Sequence, residues 1–226
     1  MIVLNKILKR QTLKYWLWCV LFINSTATAQ IPAEVFTGNK KTTIDVLFFR
    51  FFRTNDSLSS KWLFFHRNRV FIDYRMTSET YLPVSGSTEA ISWNHPSLKG
   101  IAPVATIQIL QRGLFPKAGI QYARTGKQFS LFTWLVSGLT PVTDPDLFIL
   151  ARYTPKLTTS TNLFLQFEAV NTIAKQTQRS NNFTQRLRVG LSKHRWQFGI
   201  GADFQHTGRK SYDHTQNTGI FLRHEF

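Results

Sequence analysis

The side chains best suited to nucleophilic or metal chemistry in this 226-residue chain are six histidines and one cysteine. Hydrolysis by a serine needs a neighbouring histidine and a polar group to orient it. His66, His95, His194 and His224 are scattered, and none sits in a recognisable serine or acid context. His206, Asp213 and His214 share one predicted loop, where imidazole and carboxylate are the right donors for a metal or for acid–base work, although loop histidines are ordinarily just solvated. No phosphate-cradling glycine loop, HExxH or calcium loop occurs. Gly199-Ile200-Gly201 lacks the third glycine and following helix that phosphate binding demands, and suits a close approach of neighbouring strands better. We therefore expect no catalytic residue, no metal site and no cofactor.

A second chemistry is carried by arginine and carboxylate side chains at two-residue spacing. Arg67, Arg69, Asp73 and Arg75 alternate with other residues, as do Arg186 with Arg188 and Arg223 with Glu225; Lys117, Arg152, Glu168 and Asp203 stand in similar contexts. An interval of two puts side chains on one face of a strand. Basic residues outnumber acidic ones in this set. Gathered around a pore they would favour anions; in a narrow barrel they would form ion pairs that brace and plug it. Arg67 with Asp73, Arg186 with Glu168, and Arg223 with Glu225 are candidates for such pairs.

The elements that must position these groups read as strands. From Trp62 to Arg75 one face is Trp62, Phe64, His66, Asn68, Val70, Ile72 and Tyr74, and the other is Leu63, Phe65, Arg67, Arg69, Phe71, Asp73 and Arg75. The first set suits lipid, with His66 and Asn68 as blemishes, and the second a wet interior. Trp196, Phe198, Ile200, Ala202 and Phe204 alternate with Gln197, Gly199, Gly201, Asp203 and Gln205 without exception, and a helix would need a period near 3.6. The whole chain gives eleven such segments, near 42–53, 60–75, 87–95, 100–111, 114–124, 127–138, 145–154, 159–170, 182–192, 195–206 and 217–226. Single-chain transmembrane barrels carry an even number of antiparallel strands, so the expected count is ten or twelve. The error is expected between Thr77 and Thr88, where Pro83 and Gly86 blur the pattern. Lys193-His194, Thr154 to Thr158 and Thr125-Gly126 read as inner turns, and Asn171 to Asn181 and Gln205 to Gln216 as outer loops.

The N-terminal residues point to export. Lys6, Lys9, Arg10 and Lys14 precede an uncharged apolar run from Tyr15 to Ile23, and Ala27-Thr28-Ala29 offers a cleavage site. The run is about half the roughly 20 residues a membrane helix needs, which disfavours an uncleaved anchor. Bulky Trp18 before Cys19 disfavours a lipoprotein. We expect residues 1–29 to be a cleaved signal peptide and 30–226 an outer-membrane β-barrel. Removing Cys19 leaves no cysteine, and removing four basic residues lowers the net charge from +16 to +12. A basic chain on this route meets lipopolysaccharide, anionic lipid or anionic solutes, not nucleic acid.

The last strand ends on Phe226, with Ile220, Leu222 and His224 on its face and Gly219 just before. This resembles the C-terminal assembly signal of outer-membrane β-barrel proteins, an amphipathic strand finishing in an aromatic residue that the insertion machinery reads; His224 stands where an apolar residue is usual. Together with Arg67-Asn68-Arg69, Asp73-Tyr74 and Ala151-Arg152-Tyr153-Thr154-Pro155-Lys156, it makes the chain similar to small porin-like outer-membrane barrels of the Bacteroidota. The resemblance implies an all-β, antiparallel, up-and-down transmembrane barrel in the cell outer membrane, with the assembly machinery and outer-membrane lipid as partners, and no particular substrate.

The expected function is non-enzymatic: a narrow, anion-favouring channel or a plugged structural barrel. A lipid-modifying envelope enzyme of the lipid A deacylase or phospholipase type, and a barrel subunit of a larger envelope complex, are the alternatives. N-terminal sequencing of protein recovered from membranes should begin at Gln30; recovery of Met1 would show that the leader is kept, and a blocked N-terminus at Cys19 that the chain is a lipoprotein.

Overall fold

The computed structural model describes residues 31–53, 59–74, 83–111, 113–140 and 144–226. The leader, with its cleavage site, and Arg75 lie outside them. Among the described residues twelve strands form a closed antiparallel barrel in which each pairs with its sequence neighbours and the first pairs with the last. They are β1 (Pro32–Gly38), β2 (Lys41–Arg53), β3 (Ser59–Asp73), β4 (Val84–Trp93), β5 (Ile101–Leu110), β6 (Gly113–Thr125), β7 (Phe129–Gly138), β8 (Asp146–Tyr153), β9 (Thr161–Thr172), β10 (Asn181–Lys193), β11 (Trp196–Gly208) and β12 (Tyr212–Glu225). We call the end holding Pro32 and Glu225 the lower end.

The alternation of side chains builds two different surfaces. Outside, Leu114, Ile120, Leu135, Leu187, Val189, Ile200 and Ile220 stand exposed, with Ile200 and Ile220 at 66%. Trp62 and Trp93 face one another in register near the lower end, and Trp196 faces His224. An apolar band with aromatic residues along its rim is the exterior of a membrane-spanning barrel. Inside, the same strands bury charged groups together with Phe65, Phe132, Trp134 and Phe148.

The twelfth strand is β1, not a segment between Thr77 and Thr88, since β3 pairs directly with β4. Its inward residues are Glu34 and Phe36 and its outward ones Ala33, Val35 and Thr37, so polarity does not divide its faces as it does in Trp196 to Phe204. The expected outer loop from Gln205 to Gln216 is likewise mostly strand. β11 runs on to Gly208 and β12 starts at Tyr212, with Gln205 opposite Thr215 and His206 opposite His214. This hairpin is polar on both sides, which hid its pairing. The inner turns fall where expected; His194-Arg195 joins β10 to β11 with His194 at φ 56°, the left-handed conformation that tight hairpin turns use.

Closure depends on Asn217. β1 is seven residues long while β2 and β12 have 13 and 14, so the ladder between β1 and β12 stops at Gly38 opposite Gly219. Just above, the Asn217 amide takes the place of a strand: its Oδ1 accepts from the Lys40 and Lys41 N–H groups at 2.8 and 3.2 Å, and its Nδ2 donates to the Lys41 carbonyl at 3.0 Å. Asn217 is 1% exposed, and a Cβ on Gly38 would lie 2.2 Å from its Oδ1. A second close approach joins β10 and β11, where a Cβ on Gly199 would fall 2.5 Å from the Gly190 Cα; Gly201 instead leaves room for the Arg188 side chain and the Phe36 ring. Asn217→Ala removes three hydrogen bonds from buried or half-buried backbone and should cost about 2–3 kcal/mol, with about 1 kcal/mol per bond as the guide; urea titration of the refolded barrel measures it. Gly38→Ala would push the Asn217 amide from its place and should cost a similar amount in the same titration.

Candidate functional site in the barrel interior

β3 and β9 are six strands apart in the ring of twelve, so they are opposite walls. They touch. The Arg67 guanidinium on β3 donates through Nη2 to Glu168 Oε2 on β9 at 2.8 Å, while its Nε and Nη2 hold both oxygens of Asp45 on β2 at 3.1 and 2.8 Å. Glu168 is 1% exposed and also receives Arg186, with Arg69 Nη1 at 3.6 Å from its Oε1. Arg69 in turn bonds Asp45.

The network continues around the wall from β10 to β1. Asp203 accepts from Arg188 Nη1 at 2.7 Å and lies 3.7 Å from Arg186 Nε; Arg188 Nε donates to Glu34 at 3.0 Å, and its guanidinium lies 3.9 Å from the centre of the Phe36 ring. Arg223 Nη1 donates to Gln166 Oε1 at 2.8 Å, and its Nε is 3.6 Å from Glu34. Arg152 reaches the same Gln166 oxygen at 3.0 and 3.2 Å. Removing ions from water is costly, and such groups persist only where partners saturate them, which planar guanidinium forks do well.

Aromatic rings fill the rest of the interior. Phe49 on β2 meets Phe132 on β7 with centroids 4.9 Å apart, and Phe65 on β3 meets Phe132, Trp134 and Phe148 at 5.1, 4.7 and 5.8 Å. Arg67 lies over Phe148 and links the two halves. Towards the upper end the interior widens into a polar cavity of about 530 Å³ lined by Gln108, Lys117, Asp144, Thr172, Arg179 and Asn182, among others. There Lys117 pairs with Asp146, which also accepts from Gln108 and Thr172 at 2.7 Å each, and Arg179 pairs with Asp144 at 2.8 Å.

The structure therefore gathers Arg67, Arg69, Lys117, Arg152, Glu168, Arg186, Arg188, Asp203 and Arg223 inside the barrel, and brings Arg186 to Glu168 as expected. Two expected pairs are corrected. Asp73 is six residues beyond Arg67, roughly 20 Å along a strand at about 3.3 Å per residue, and it stands opposite Lys41 at the upper end. Glu225 accepts from Gln197 at 2.8 Å, while Arg223 reaches inward to Gln166 and Glu34. Glu34, Asp45 and Asp146 join Asp73, Glu168, Asp203 and Glu225 on the acidic side, which narrows the expected basic excess. Asp45 could have been found from its alternation with Thr43 and Leu47; Glu34 lay on the strand that polarity concealed.

The histidines do not converge on a reaction centre. His95 caps a short 3₁₀ turn at Pro96–Leu98, His194 is in a turn, and His224 packs on Trp196. His206 and His214 meet ring to ring across the β11–β12 hairpin, not in a loop. Among the described residues no group of three or more His, Cys, Asp or Glu side chains is placed to hold a metal ion. Of the C-terminal residues, Ile220, Leu222 and Phe226 point outward, exposed by 50% or more, and Phe226 N–H donates to the Ile31 carbonyl at 3.2 Å.

Searches against protein families and curated proteins found no match. Among solved structures the chain is similar to a KdgM porin, with 8% identity and a TM-score of 0.48 over 87% of this chain and 99% of that one. A KdgM porin in complex with disordered oligogalacturonate gives 10% and 0.47 over the same shares. A bacterial polysaccharide outer membrane secretin gives 7% and 0.40 over 88% of this chain and 98% of that one.

Replacing Glu168 by Ala would leave Arg67, Arg69 and Arg186 sharing only Asp45 and Asp203 in a buried site. Breaking a buried pair from one side costs about 3–5 kcal/mol, so guanidinium unfolding should show a loss of that size; Glu225→Ala, at the half-buried lower rim, should lose far less.

Proposed function

We propose that this protein is a non-enzymatic outer-membrane β-barrel that is closed at rest by its own side chains and acts through its rims and wall. The observation that carries the reading is the Arg67–Glu168 ion pair between opposite walls, 2.8 Å long and shielded by packed aromatic rings. A conducting lumen of fixed width needs a continuous wet path, and side chains of β2 and β3 here touch those of β7, β8 and β9. The apolar exterior, the even strand count and the start of β1 beside the end of β12 at one rim support the membrane setting, as does the exported-type leader. On this reading outer-membrane lipid and lipopolysaccharide surround the barrel. The insertion machinery reads the strand that carries Gly219, Ile220, Leu222 and Phe226. Small anionic solutes enter the upper cavity without crossing.

The interior offers guanidinium groups already engaged by carboxylates and amides, which suits bracing and not hydrolysis of lipid. The refolded protein in planar bilayers should give no steady conductance, while Glu168→Ala combined with Phe65→Ala and Phe132→Ala, which removes the ionic crossing and the aromatic contacts of β2 and β3 with β7 and β8, should open one favouring anions. A steady conductance from the unaltered protein would sink the closed-barrel reading, and activity on phospholipid or lipid A would replace it with the enzyme.

A further inference from the structure

One polar group lies on the wrong side of the wall. His66 on β3 and Glu89 on β4 are opposite one another in register and both point outward. His66 Nδ1 is 2.9 and 3.0 Å from the Glu89 carboxylate oxygens, Ser87 Oγ donates to Glu89 at 2.8 Å, and Asn68 stands exposed beside them. The side chains of His66 and Glu89 remain 26% and 29% exposed.

Their height makes this costly. His66 is four residues above Trp62 and Glu89 four below Trp93 in number, and Trp62 and Trp93 form a facing pair at the lower rim. Four residues rise roughly 13 Å along a strand, or about 10 Å along the membrane normal at a tilt of about 40°. That places the pair well inside an apolar band about 25 Å tall. An ionisable group facing hydrocarbon is rare, and is ordinarily turned to protein or water.

We infer that the outer wall from β3 to β6 is a docking surface for a second copy of this chain, packed about a twofold axis. The inference rests on the membrane-barrel reading above. Three features fit that partner. A hydrogen-bond donor and a carboxylate side by side are self-complementary: a twofold places His66 of one copy against Glu89 of the other, as isologous interfaces require. Small outward residues, Ser85, Ser87, Ala105 and Ala118, stand on this wall between the larger Ile91, Ile107, Leu114 and Ile120, with Ala105 and Ala118 side by side in register. Small residues let two walls approach closely within a membrane. Beside the polar pair an open apolar recess of about 440 Å³, lined by Phe52, Phe64, Ile91, Ala105 and Ile107, gives room for side chains of the mate.

Sedimentation equilibrium of the full chain, isolated from membranes in density-matched detergent, tests this, with heat-modifiable gel migration as a separate check on the barrel. The expected result is a dimer that weakens at least tenfold in His66→Leu/Glu89→Leu and in Ala105→Trp, which fills the recess, while all three proteins keep heat-modifiable migration and Val189→Leu still dimerises. A monomeric unaltered chain, a dimer indifferent to both sets of changes, or a different protein bound at this wall would each overturn the second copy as partner. Should the Leu pair fail to fold, Ala105→Trp alone decides. Loss of heat-modifiable migration in the unaltered chain would instead mean that the barrel reading has failed, and the docking surface with it.

Discussion

The contact between Arg67 and Glu168 sets the terms for the rest of the interior. A ring of twelve strands encloses more room than one layer of side chains fills without reaching across, and here the reach is made by an ion pair from β3 to β9. Glu168 collects Arg67, Arg69 and Arg186, and those guanidiniums then fix Asp45 and Asp203. Asp203 holds Arg188, and Arg188 holds Glu34. Each charge depends on the next being in place, and Glu34 Oε2, Arg69 Nε and Arg223 Nε are buried there without a hydrogen-bond partner among the described residues. Such assemblies add little net stability compared with an apolar filling, yet losing one member is severe, so they select a single arrangement over its near neighbours.

The aromatic half of the interior makes this possible. Phe65, Phe132, Trp134 and Phe148 exclude water from one flank of Arg67, and Coulomb attraction strengthens as the surroundings become less polar. The two halves are therefore not alternatives. The rings keep the charges dry, and the charges cross where rings alone would leave a gap.

What the residues reveal on inspection follows from this division. Trp196 to Phe204 could be read at once, because every inward residue is polar or glycine and every outward one apolar, and the wall from Trp62 to Tyr74 was nearly as clear. Where the interior is itself apolar, as at Leu47, Phe49, Phe132 and Phe148, both faces of a strand look alike and the period of two fades. β1 suffered most, being short as well. Partners were less legible than faces: that Arg67 lies inside follows from alternation, but that it meets a residue 101 positions away depends on the curvature and register of five intervening strands. Spacing along one strand suggested Asp73 and Glu225 as partners, and both lost to groups on other strands.

The Asn217 amide and the short strand beside it carry a consequence for how the chain reaches this state. Its bonds to Lys40 and Lys41 join residues 177 and 176 positions apart, across the seam that closes the ring. Neighbouring hairpins such as β10–β11 can zip as soon as both strands exist, but this seam must wait for the final strand to arrive. Until then the sheet is open, with β1 and β11 both showing unpaired edges that other chains could join. The side chain at 217 thus acts late and once, as the latch that turns an extended ribbon with two vulnerable borders into a surface with none.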